Sequence, residues 1–84
     1  MNNNVEHPKH YKRAGRKECI EEMIDIFGVR WVAIFCLLNV YKYKYRHEMK
    51  NGQEDIDKAN WYANKYISLG GKPRWIEKLE EYFK

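Results

Sequence analysis

Apolar residues recur along most of this chain at steps of three and four, the period of helices that bury one side. Ile20, Met23, Ile24 and Phe27 set a first helix over 17–28, with Gly28 as its stop signal. Trp31, Ile34, Phe35, Leu38, Tyr41 and Tyr45 make the apolar stripe of a second helix over 29–50, ended by Asn51-Gly52. A third helix is predicted over 53–69, with Ile56, Ala59, Ala63 and Ile67 inward and Gly70-Gly71 as the breaker. Pro73 suits the first turn of a fourth over 73–84, whose buried side is Trp75, Ile76, Leu79 and Phe83. Residues 1–16 carry no such period, and Pro8 biases His7 away from helix, so an extended N-terminal arm is expected. Four helices with short connections imply one all-α domain, a compact bundle.

Composition sharpens that picture in two ways. A chain of 84 residues hides only about 60% of the surface its unfolded form exposes, so its core is small. Three Trp and seven Tyr carry more aromatic area than such a core can cover. The surplus is expected to face a ligand or a second copy of the chain, giving a homo-oligomer. Sixteen basic against twelve acidic residues leave a net charge of +4, a mild attraction for phosphate-bearing partners. Cys19 and Cys36 each fall within a helical apolar pattern, where free Cys acts as a small hydrophobe, and a reducing cytoplasm fits best. Met1-Asn2-Asn3-Asn4 carries no signal-peptide apolar run, and Trp31 to Leu38 is too short a run to cross a bilayer, so no membrane partner is expected.

The segment richest in chemistry is the second half of the second helix. Asn39, Lys42, Tyr43, Arg46 and Lys50 stand at steps of three and four and share one face. A nucleotide offers partners for that set: phosphate oxygens for the cations and a flat base for the ring. Asn39 interrupts an apolar run, and a buried amide there needs hydrogen-bond partners from another helix or from a ligand. Asp55, Lys58 and Tyr62 form a matching stripe on the third helix, with Glu54 and Trp61 alongside. Antiparallel packing of the two helices lets the stripes meet, so that Asp55 orients Lys42 or Arg46 and Lys58 adds a phosphate contact. The plain alternative is a solvated charged face with one satisfied Asn and an Asp that suits its helix dipole.

Other patterns carry less. His7 and His10 invite a metal, but no Cys or third His stands at a supporting spacing; with Tyr11 they are better suited to stacking on a base or bonding a phosphate. Glu18, Glu22 and Asp25 share a face of the first helix, and Glu54 and Asp57 lie on the third. Facing each other, such carboxylates hold Mg²⁺ on a nucleoside triphosphate, and Glu18-x-x-Glu21 with Glu54-x-x-Asp57 resembles the paired acids of all-helical nucleotide pyrophosphatases. The Gly-x-x-x-x-Gly-Lys pattern of a phosphate loop is absent.

The order of these pieces is itself a pattern. His7-Pro8-Lys9-His10-Tyr11 precedes Glu18-Cys19-Ile20-Glu21; Phe35 to Asn39 leads into Lys42-Tyr43, Arg46 and Lys50; Glu54 to Tyr62 closes the set. In this order the blocks resemble the SaV-like family of small phage proteins over residues 5 to 68. That family includes a phage kinase acting on deoxynucleoside monophosphates without a phosphate loop. The resemblance implies a nucleotide site drawn from His7, His10, Tyr11, Asn39, Lys42, Tyr43, Arg46, Lys50, Asp55, Lys58 and Tyr62. Leu38 stands where the family commonly has Gly, and His47-Glu48-Met49 where it tends to have a small, Gly-containing stretch.

The expectation is therefore a phage-encoded nucleotide-binding protein of the host cytoplasm. Phosphoryl transfer to a deoxynucleoside monophosphate is the reaction the resemblance implies, with Mg²⁺ if a triphosphate is used. Two alternatives come from other classes. One is a binder without turnover that sequesters a nucleotide signal or docks on a host defence protein. The other is a nucleic-acid binder using the interleaved cations and rings of Lys42 to Arg46.

Overall fold

The computed structural model describes residues 18–49 and 52–84, and within them every regular element is an α-helix. These are α1 (Cys19–Phe27), α2 (Val29–Arg46), α3 (Gln53–Ser68) and α4 (Pro73–Tyr82). The all-α architecture expected from the periodicity is the one found. The expected arm over residues 1–16 lies outside the described residues.

Local chemistry explains where each helix starts and stops. The Glu18 N–H donates to Glu21 Oε1 at 3.0 Å, capping one of the donors left open at the start of α1. Gly28, with φ 92° and ψ 156°, closes α1 and opens α2 in a conformation that disfavours any side chain. Its N–H donates to the Ile24 carbonyl at 2.8 Å. α2 ends at Arg46, short of the expected residue 50. His47 uses its ring Nδ1 on the Lys44 carbonyl (2.7 Å), and Gly52, at φ 53°, donates back to the His47 carbonyl (3.2 Å). Groups that would extend the helix are spent on the turn. At the other connection the Tyr66 hydroxyl accepts from the Lys72 N–H (2.9 Å) and donates to the Lys72 carbonyl (3.2 Å), pinning α4 to the end of α3.

α2 is the central helix; α1 and α3 pack along it and α4 touches it. The core is Val32, Ala33, Cys36 and Val40 from α2 with Ala59 and Tyr66 from α3, joined by Ile20, Met23 and Ile24 of α1. Three expected inner faces are thereby corrected. Trp31, Ile34, Phe35, Leu38, Tyr41 and Tyr45 point outward on α2, and the smaller residues face the core. Small and β-branched side chains let neighbouring backbones approach closely, and so thin a bundle has no room for that many rings. On α3 the inward positions are Asp55, Ala59 and Tyr66, while Ile56 and Ile67 are exposed. α4 buries no residue fully, and Trp75 lies outside with Arg74 and Lys78 over its ring at 5.8 and 5.4 Å. No helix among the described residues is long and apolar enough to cross a membrane.

Candidate functional site

Packing α3 along α2 brings the two sequence stripes together around one ring. Tyr43 of α2 stacks on Tyr62 of α3, centroids 5.9 Å apart and planes within 13°. Three cations surround Tyr43: Lys42 Nζ at 4.5 Å from its centroid, Lys58 Nζ at 5.5 Å and Arg46 Cζ at 5.7 Å. Phe35 and Trp61 meet Tyr62 edge-on at 6.1 and 5.0 Å and so brace the ring pair at its Tyr62 end. The quadrupole of a tyrosine face attracts each cation, by about 0.5–1 kcal/mol at an exposed position. That attraction offsets part of the repulsion among three like charges. The arrangement presents positive charge at fixed positions on a stiff aromatic base.

Beside Arg46 sits Asp55, with no exposed surface. Its closest opposite charge is Arg46, Nε to Oδ2 at 3.8 Å, too long for a hydrogen bond. Both Asp55 carboxylate oxygens and Arg46 Nε are buried with no hydrogen-bond partner among the described residues. Burying a carboxylate this way costs several kcal/mol before its attraction to the guanidinium is counted. The pair is therefore poor evidence of stabilisation and good evidence that something else keeps Asp55 in place. Of the two partners expected for Asp55, Lys42 or Arg46, the structure supplies Arg46.

Asn39 is buried, and its side-chain N–H donates to the Phe35 carbonyl one turn back at 2.9 Å. That bond follows the plain reading of a polar residue satisfied within its own helix. Lys58 lies 3.6 Å from Glu54, which shares its charge along α3. Lys42, exposed and with its Nζ over the Tyr43 ring, makes no ion pair with any described residue. His7, His10, Tyr11 and Lys50 lie outside the described residues.

The weaker pattern of carboxylates on the first and third helices carries no metal-site expectation. No group of three or more His, Cys, Asp or Glu among the described residues is placed to hold a metal ion. Phe35 entered the sequence reading as part of an inner stripe, and its contact with Tyr62 makes it a support of the aromatic pair. Its helical step to Asn39 and Lys42 was the available signal.

The fold and this face define an all-α domain with a cation-ringed aromatic pair. The chain matches, over residues 5–64, the model of a family described as a protein of unknown function, DUF3310, and it belongs to that family. No curated protein and no solved structure matches it.

Proposed function

We propose that the protein binds a nucleotide through the cationic face of α2 and α3. Lys42, Lys58 and Arg46 hold phosphate oxygens, and Tyr43 and Tyr62 supply the aromatic wall. Asn39 braces the helix beneath, and Asp55 holds Arg46. The observation that carries this reading is the convergence of three cations on one tyrosine ring, one of them beside a buried carboxylate with no hydrogen-bond partner among the described residues. A phosphate shared by the three cations neutralises their repulsion and gives Arg46 a charge-assisted partner. His7, His10, Tyr11 and Lys50 complete the ligand set in this proposal, as the resemblance to the SaV-like phage family implies. The same resemblance makes phosphoryl transfer to a deoxynucleoside monophosphate the reaction to assay. That chemistry rests on positioned cations and, with a triphosphate donor, Mg²⁺. We place the protein in the cytoplasm of a phage-infected host on the same basis.

Calorimetric titration with deoxynucleotides and cyclic nucleotides tests the reading, repeated on Lys42→Ala and Arg46→Ala. The expected result is saturable heat with at least one nucleotide, reduced tenfold or more in affinity by either substitution. Lys42→Ala is the cleaner of the two, because Arg46 also faces Asp55. Incubation of that nucleotide with a triphosphate donor then separates a kinase from a sink that binds without turnover. Absence of heat with every nucleotide, together with tight, steeply salt-dependent binding of an oligonucleotide, transfers the face to nucleic acid.

A further inference from the structure

α2 carries a second apolar face that the bundle leaves largely in solvent, with only Tyr82 and Phe83 from the end of the chain lying against it at Tyr41, centroids 6.2 and 5.3 Å away. Trp31, Ile34, Leu38, Tyr41 and Tyr45 follow one another at steps of three, four, three and four, the spacing of a heptad seam. Their exposures run from 41% at Tyr41 to 68% at Trp31, with Leu38 at 63% in the middle. The core positions Val32, Ala33, Cys36 and Val40 occupy the other side of the same helix. No charged residue interrupts the seam over the ~21 Å it covers at 1.5 Å per residue.

We infer that this seam is the contact between two copies of the chain, packed with their α2 helices antiparallel about a two-fold axis near Leu38. Aromatic side chains of about 150–250 Å² each put roughly 600 Å² of this face in solvent per copy. Two copies bury about 1,200 Å² in total, the lower edge of a standard specific interface. A self-complementary patch is what a two-fold contact requires, and the seam reaches the same distance along the helix on either side of Leu38, to Trp31 and to Tyr45. Trp31 then meets the partner's Tyr45, and Ile34 the partner's Tyr41. Charge selects the antiparallel sense. α1, which packs along the first half of α2, has Glu21, Glu22 and Asp25, which outnumber the single cation there, Arg30 at the start of α2. The second half of α2 has Lys42, Lys44 and Arg46 and no acid. Antiparallel copies set acidic flank beside basic flank, and parallel copies set like beside like. The apolar contact itself does not depend on what the cationic face binds; the antiparallel sense draws on Lys42 and Arg46, which the proposed nucleotide site also uses.

Sedimentation equilibrium of the full chain is the test. The expected mass is twice the 10.3 kDa of one chain, falling to one chain in Leu38→Glu with helical circular dichroism unchanged. Leu38 is outside the core, so that variant folds; Tyr45→Glu serves as a second exposed probe with the same expectation. In a Cys19→Ser background, Trp31→Cys cross-links with Tyr45→Cys and not with itself. A monomeric wild type at tens of micromolar, or a dimer that survives both glutamate variants, overturns the inference. Self-cross-linking of Trp31→Cys overturns the antiparallel sense.

Discussion

Three buried residues fix how much of this small molecule is committed to stability and how much to the site. Gly71 lies against Tyr66, and a β-carbon at Gly71 would overlap the ring. Gly71→Ala therefore displaces Tyr66 from its two bonds to Lys72, and about 1–3 kcal/mol of stability is expected to go with it in thermal or denaturant unfolding. Asp55 behaves oppositely. Arg46→Met strands a buried carboxylate and is expected to cost about 2 kcal/mol, held below the fully buried case because solvent reaches Arg46. Adding Asp55→Asn to Arg46→Met recovers most of that loss, which a double-mutant cycle reads directly. Burial pushes the Cys36 thiol up to about 11 from 9.0, with nearby Lys65 pulling it part of the way back. The folded chain thus holds this proton more tightly than the unfolded chain. Its contribution is complete below pH 9 and is lost as pH rises through about 11, so Tm falls across that window and falls less in Cys36→Ala. Cys19 is exposed and is expected to react with iodoacetamide in the native protein while Cys36 stays protected.

At the level of elements, helix existence and number followed from the three-and-four spacing, and Gly28, Gly52 and Pro73 marked the boundaries. Which face of α2 turned inward did not follow. That helix is apolar on two sides, and spacing alone cannot rank Val32-Cys36-Val40 against Trp31-Leu38-Tyr45. The small bundle decides by volume: the compact residues allow close packing, and the rings remain outside. The stop at Arg46 was also hidden, because it depends on the His47 ring capping Lys44 and on Gly52 closing the turn. The cationic stripe was legible because Lys42, Tyr43, Arg46, Lys58 and Tyr62 share helix faces whichever way the core turns. Its stacking of Tyr43 on Tyr62 and the burial of Asp55 needed the α2–α3 packing. α4 buries no residue fully and leans on the Tyr66–Lys72 clamp. Its amides are expected to exchange with solvent at least tenfold faster than those in the middle of α2 and α3.

The whole molecule is organised around α2, whose three sides do three things. One side makes the core with α1 and α3, one presents the cations around Tyr43, and one is the largely exposed seam from Trp31 to Tyr45, touched at Tyr41 by Tyr82 and Phe83. A single central helix that serves both core and surface gives places to five of the aromatic side chains, Trp31, Phe35, Tyr41, Tyr43 and Tyr45. It also couples the site to the fold: α3 must lie along α2 for Lys58 and Tyr62 to reach Tyr43. The central claim is that this α2–α3 face is where a nucleotide binds. Its most direct test is an amide chemical-shift titration of the isotope-labelled protein with a deoxynucleoside monophosphate. The account predicts saturable shifts concentrated at Lys42, Tyr43, Arg46, Lys58 and Tyr62, absent in Lys42→Ala. Saturable shifts centred elsewhere, or undiminished in Lys42→Ala, would contradict it.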